Sequence, residues 1–221
     1  MKSYQQYCSV ARALDVIGDR WVLLIVRELL AFGPSRYSDL RRGLPGIATN
    51  LLAERLKVME VDGLIERYDA PPPIGTNLYQ LTVRGRALQD VLHALAGWGL
   101  DRMPAGAQAE DAVQPQWAAL FGALELSPHV SPNSEVVIGV ETGGEAVRAI
   151  LRHDTFEIRR GSSPQADVTL SGRVDLVGAV LSGLLTPDQA ADLGLAISGT
   201  PAVLTELLHA NRVSAAARPA L

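Results

Sequence analysis

Along the first hundred residues apolar side chains recur every three to four positions, the period of a helix with one face in a core. That spacing predicts helices over 10–17 and 21–30, with Trp21, Leu24, Ile25 and Leu29 of the second sharing one face. Gly33-Pro34 ends the second helix, because proline cannot continue a helix and glycine accepts the closing turn. Ser38 is placed to cap a short helix that runs through Arg42 and stops at Gly43 and Pro45-Gly46. A longer helix is expected over 49–62. Its Leu52, Leu56 and Met59 fall at i, i+4, i+7, while Asn50, Ala53, Glu54 and Lys57 take the opposite face, and Gly63 stops it.

The period then changes. Residues 64–68 and 78–81 are short β-prone runs, and between them Pro71, Pro72 and Pro73 leave only an extended loop. Thr82 is placed to cap a last helix carrying Leu88, Val91, Leu92, Leu95 and Trp98 on one stripe. Helix, helix, short helix, long helix, hairpin, helix is the order of a winged helix-turn-helix, so this half is expected to be mainly α.

Residues 104–115 lack apolar periodicity and are bracketed by prolines, which reads as a connector. Beyond it, 135–142, 146–152, 155–160 and 167–171 are β-prone runs separated by turn residues, a spacing that predicts an antiparallel meander. Helices are expected over 175–181, after the Thr186-Pro-Asp-Gln189 capping pattern, and from Thr200-Pro201 to about 210, with a strand at 195–198. The expected organisation is a helical domain over 1–104, a linker over 105–115, and an α+β domain over 116–221 with helices on an antiparallel sheet.

Composition narrows the class. At 48% apolar and 20% charged, the chain is expected to be soluble and globular. No apolar run reaches the roughly 18 residues of a membrane span, and the first residues are too polar for a signal peptide, so a cytoplasmic location is expected. A single cysteine, Cys8, excludes an internal disulfide. Charge divides unevenly: residues 1–104 hold 13 of the 20 basic and 11 of the 24 acidic residues, leaving 7 and 13 for the rest. The slight basic excess permits a nucleic-acid partner for the first half without demanding one.

A helix that enters the major groove needs one apolar face for its own core and one small or polar face for base edges, and the 49–62 helix has that division. Thr49, Asn50 and Lys57 are candidate groove contacts, Asn50 having the donor and acceptor that pair with adenine, and Ala53 is small enough to let the helix sit close. Arg36, Arg41 and Arg42 are placed to hold phosphates and set register. Arg55 lies nearer the buried edge, as a structural partner for Glu60 or Asp62.

Over about residues 7–102 the chain resembles the HxlR family of regulators. The carrying segments are 8–18 (CSVARALDVIG), 21–30 (WVLLIVRELL), 36–42 (RYSDLRR), 45–47 (PGI), 51–56 (LLAERL), 62–67 (DGLIER) and 78–85 (LYQLTVRG). The resemblance implies a homodimeric transcription regulator whose partner is double-stranded DNA. Ala48 stands where that family usually offers Ser or Thr as a helix cap, which makes Thr49 a second candidate cap. Family wings tend to carry an arginine near the tip, and 74–77 has none.

Cys8 occupies the family position of a cysteine that senses oxidants or electrophiles in several members. Backbone N–H groups at a helix start favour the reactive thiolate, and Arg12 lies one turn along. The alternative is a small apolar side chain at a dimer interface.

Segments 166–172 (ADVTLSG), 175–183 (DLVGAVLSG), 185–190 (LTPDQA) and 195–201 (LAISGTP) resemble the sterol-carrier-protein type of lipid-binding domain, over about 117–210. That resemblance implies helices on a five-stranded sheet around an apolar cavity, and hence a small hydrophobic effector; bracing of the dimer is the other reading. Leu181, Leu184, Leu185, Leu204 and Leu208 are expected in the core rather than lining a cavity.

An enzyme is not favoured. His93, His129, His153 and His209 are scattered without metal-ligand spacing, and the chain has neither a phosphate-cradling glycine loop nor a nucleophile elbow. No cofactor or metal is implied. A lipid carrier with a degenerate DNA module is the third class.

Overall fold

The computed structural model describes residues 3–71, 75–103 and 106–216. The chain divides into two compact units, 1–95 and 96–221. The first holds helices α1 (Ser9–Ile17), α2 (Val22–Phe32), α3 (Tyr37–Gly43) and α4 (Thr49–Val61). Strands β1 (Ile65–Asp69) and β2 (Asn77–Leu81) follow, then α5 (Val83–Arg86) and α6 (Leu88–Gly99), whose last turn lies past the division.

Its core follows the periodicity on α2, α3, α4 and the hairpin, whereas the apolar positions Val10 and Leu14 of α1 and Val91, Leu95 and Trp98 of α6 are exposed. Trp21, Val22, Ile25, Val26 and Leu29 on and beside α2 are buried, with Leu40 of α3, Leu52, Leu56 and Met59 of α4, and Leu64, Ile65, Leu78 and Leu81 around the hairpin. Strands β1 and β2 pair antiparallel from Ile65 opposite Leu81 to Asp69 opposite Asn77. Ser35 and Tyr79 exchange two backbone hydrogen bonds of 2.9 Å, which ties the start of α3 to the wing.

Two caps differ from expectation. Helix α3 begins at Tyr37 with Arg36 at its N-cap in extended backbone, so Ser38 is already inside the helix. The chain leaves the Ser35 bridge extended, and the first residue free to turn is 37. Thr82 does cap a helix, its Oγ1 accepting from Gly85 N at 3.1 Å, but that helix is the four-residue α5, and α6 starts afresh at Leu88. The same hydroxyl donates to Gly63 O at 2.6 Å, and Gly85 packs so closely on the Leu64 carbonyl that no Cβ would fit.

The second unit contains α7 (Pro115–Leu126), strands β3 (Val136–Thr142), β4 (Glu145–Arg152), β5 (Thr155–Arg160) and β6 (Val168–Ser171), then α8 (Val174–Leu181), α9 (Pro187–Asp192), β7 (Ala196–Gly199) and α10 (Pro201–Ala216). The five strands lie in the order β5-β4-β3-β6-β7. The expected meander holds for β3, β4 and β5. It fails at the fourth strand: β6 pairs with β3, in parallel, so the sheet is mixed. Register explains how a short connector manages this. Arg160 is level with Val147 and Val140, and Val168 with Ile138, so the chain descends only two residues while it crosses to the far side of β3. Three strand spacings are about 14 Å, well within the reach of seven linking residues at about 3.4 Å each.

Ile138, Val140, Val147, Ala149, Leu151, Ile158, Val168 and Leu170 form the buried face of the sheet, against which α7 packs. Helix α7 was not among the expected elements. It is apolar almost all round and buries Ala119, Leu120, Ala123, Leu124 and Leu126, as befits a central helix covered on most sides. The Thr186 capping box is present in full, with Gln189 N to Thr186 Oγ1 at 3.2 Å and Thr186 N to Gln189 Oε1 at 2.9 Å. Leu181, Leu204 and Leu208 are buried as expected, whereas Leu184 is 66% exposed. Among the described residues no helix is long and apolar enough to cross a membrane.

Candidate nucleic-acid interface

Helices α3 and α4, with the turn between them, form the helix-turn-helix, and α4 is divided as its sequence requires. Leu52, Leu56 and Met59 are at most 1% exposed, while Asn50, Ala53, Glu54, Lys57 and Val61 stand in the open along one stripe. Thr49 is exposed at the first turn. The structure therefore brings Thr49, Asn50, Ala53 and Lys57 together on one accessible face. Sequence reading left Val61 out of that stripe, and its i+4 spacing from Lys57 was the available signal.

The start of α4 has no side-chain cap. Ala48 is the N-cap residue and makes no side-chain bond, and Thr49 is the first helical residue rather than a cap. A hydroxyl already inside the helix is poorly placed to reach the N–H groups behind the next turn. No N-cap side chain occupies the first N–H donors at the positive end of the helix dipole, and residues 48–50 are exposed, an arrangement that can receive a phosphate oxygen.

Arg36, Arg41 and Arg42 are exposed at the two ends of α3. Arg36 and Arg42 also make contacts within the protein. Arg55 is half-buried, as its position predicted, but its partners differ: it reaches Asp19 at 3.3 Å and Glu54 at 3.4 Å. Asp19 also accepts from Trp21 N at 3.0 Å, so this pair ties α4 to the start of α2. Glu60 pairs with Arg67 of the wing instead, at 4.0 Å. The wing-tip reading falls partly on residues 72–74, outside the described residues.

Two further contacts hold the helices at a fixed angle, and sequence reading found neither. Tyr37 Oη donates to the Thr49 carbonyl at 2.7 Å, joining the first turns of α3 and α4. Arg27 and Glu28 form an ion pair of 2.9 Å under α3, and Arg27 Nη2 donates to Gly43 O at 3.4 Å. Burial pulls the Arg27 guanidinium below the ordinary arginine value, and the Glu28 carboxylate opposes that shift. Glu28 is 2% exposed, a carboxylate on the same face as Trp21 and Ile25. A charge at a core position of an apolar helix was the legible signal.

Cys8 is exposed at the N-cap of α1, and its carbonyl accepts from Arg12 N at 3.0 Å. The Arg12 guanidinium turns away from it, to Ser3 Oγ at 3.1 Å and Asp15 at 3.4 Å. Asp15 also takes Tyr4 N and Ser3 Oγ, both at 2.8 Å, and these bonds hold its carboxyl below the usual range.

Comparison with known proteins places this geometry. Residues 16–106 match the family described as HxlR-like helix-turn-helix. The HTH-type transcriptional regulator YvaP of Bacillus subtilis is 36% identical over 90 residues, 41% of this chain and 82% of its own. The HTH-type transcriptional regulator YodB of the same organism is 36% identical over 86 residues, 39% of this chain and 76% of its own. A crystal structure of quinone-bound YodB is 33% identical, covers 43% of this chain and 98% of its own, and superposes with a TM-score of 0.37.

Proposed function

The chain belongs to the HxlR-like helix-turn-helix family of DNA-binding transcription regulators, and from that premise we propose that it is a sequence-specific homodimer whose second unit takes a small hydrophobic effector. The observation that carries the reading is the division of α4. A buried Leu52–Leu56–Met59 seam backs an open Asn50–Ala53–Lys57 stripe, with a free positive helix end beside it. In this reading Asn50, Thr49 and Lys57 meet base edges, Ala53 allows close approach, and Arg36, Arg41 and Arg42 hold phosphates.

Unpartnered apolar faces support the homodimer. Val10 and Leu14 lie on α1 with Tyr7 just before it, and Val91, Leu95 and Trp98 run along α6, each from 44% exposed upward. Side chains of that kind at helical spacing call for a partner, and a second copy is the reading the family favours. Cys8, open at the start of α1, is then a thiol sensor next to a dimer face.

For the second unit, a five-stranded sheet backed by helices supports the sterol-carrier-like reading; the expected linker 105–115 falls within that unit, and its last residue, Pro115, opens α7. Selecting bound sequences from random duplex DNA with the full chain tests the regulator reading. An enriched inverted repeat is expected, and a pool with no enriched motif at low salt overturns it.

A further inference from the structure

The face of the five-stranded sheet that α7 does not cover carries an arrangement the fold does not require. Arg148 of β4 lies directly opposite Arg159 of β5, so two cations share one face in cross-strand register. Like charges so placed cost stability relative to a neutral pair. Among the described residues Glu157 feels both charges but is bonded to Arg159 alone. Glu157 takes Arg159 in a two-pronged bond of 2.6 and 2.9 Å, and Glu135 is engaged by Arg152 at 2.6 Å. Arg148 donates to the Ser162 carbonyl at 3.3 Å, and no carboxylate among the described residues comes within 4 Å of it.

Beside Arg148 a cleft is rimmed by polar side chains over two apolar ones, of which Val137 is half-buried and Ile150 7% exposed. Val137 and Ile150 are cross-strand partners and form a floor, and the connector between β5 and β6 passes over it, presenting Ser162, Ser163 and Pro164. Together with Arg159, Gln165 and Glu135, whose carboxylate is held by Arg152, they bound this open cleft of about 460 Å³, within the range that small organic ligands occupy. A cation without a carboxylate partner, set against an apolar floor under a polar rim, matches a monoanion with a hydrocarbon body.

We propose that this cleft binds a small amphipathic carboxylate, its anion on Arg148 and its apolar body on Val137, Ile150 and Pro164. The proposal rests on the reading of the second unit as an effector domain and names the ligand class and the site. It lies on the outer face of the sheet, not between sheet and helices.

Titration calorimetry of the full chain with octanoate, octanamide and inorganic phosphate tests it. Octanoate is expected to saturate one site per chain, octanamide to bind at least about tenfold more weakly, and phosphate not to displace octanoate at equal concentration. Arg148→Gln is expected to weaken octanoate at least about tenfold while melting no lower than the parent chain, because it relieves the pairing with Arg159. Absent octanoate binding, equal octanamide binding, displacement by phosphate, or an Arg148→Gln chain that binds as before or melts lower each overturns the proposal. The octanoate–octanamide comparison needs no variant. A hydrophobic molecule retained in native mass spectrometry without any octanoate response would spare the effector reading and overturn this site.

Discussion

The carboxylate of Glu28, on the buried side of α2, fills the space that a side chain at Gly43 would need at the end of α3. Glycine is required there by close approach and not by backbone angle. The contact seats α3 on α2, and Tyr37 then seats α4 on α3 through the Thr49 carbonyl. The angle of the exposed stripe is thus set by polar contacts at both ends of α3. Gly43→Ala is expected to push the carboxylate off its seat and cost about 1–3 kcal/mol, as overpacking of a tight site does. Urea unfolding measures this, and an unchanged midpoint would show that the seat gives way freely.

Tyr37→Phe keeps the ring and removes one hydrogen bond. The expected loss is about 0.5–1.5 kcal/mol of stability. Because the bond sets helix angle rather than touching a base, duplex affinity should fall for all sequences alike. A variant that changes base preference instead would place Tyr37 at the DNA.

Some of this was legible in the chain and some was not, for identifiable reasons. The α4 division and the Thr186 capping box each depend on residues three to seven apart, and local spacing exposes them. Helix α7 has no apolar period because nearly every side of it is covered, so a search for amphipathic spacing passes over Ala119 to Leu126. The parallel pairing of Val168 with Ile138 joins segments thirty residues apart, and four successive β-prone runs look the same whether the last one adds to the edge or returns to the first. The seats Glu28–Gly43 and Tyr37–Thr49 are tertiary contacts between helices, fixed by packing that no single helix encodes.

The exposed stripe on α1 makes a direct prediction about assembly. Leu14→Glu places a charge on an exposed apolar stripe, where Leu14 is 44% exposed. The single chain should fold unchanged and the two-chain species should dissociate, by at least about tenfold in its dissociation constant, since burying an unpaired charge is costly. Sedimentation equilibrium reads this. A variant that assembles as the parent does would move the interface elsewhere.

Cys8 is open to reagents. Treatment with diamide should weaken duplex binding by the parent chain and leave Cys8→Ser unaffected. Gel-shift titration with and without reagent decides it, and equal sensitivity of the two proteins would remove Cys8 from the mechanism.

The central claim is that the open stripe of α4 reads bases. Fluorescence anisotropy at fixed salt, comparing a selected inverted repeat with the same bases shuffled, tests it most directly for the parent chain, Asn50→Ala and Arg42→Ala. The parent chain should prefer the selected duplex by at least about a thousandfold. Asn50→Ala should lose about 1–3 kcal/mol of that preference, and Arg42→Ala should weaken both duplexes by the same factor and lower the salt slope by about one. Equal affinity of the parent chain for the selected and shuffled duplexes, or an Asn50→Ala chain with undiminished preference, would contradict it.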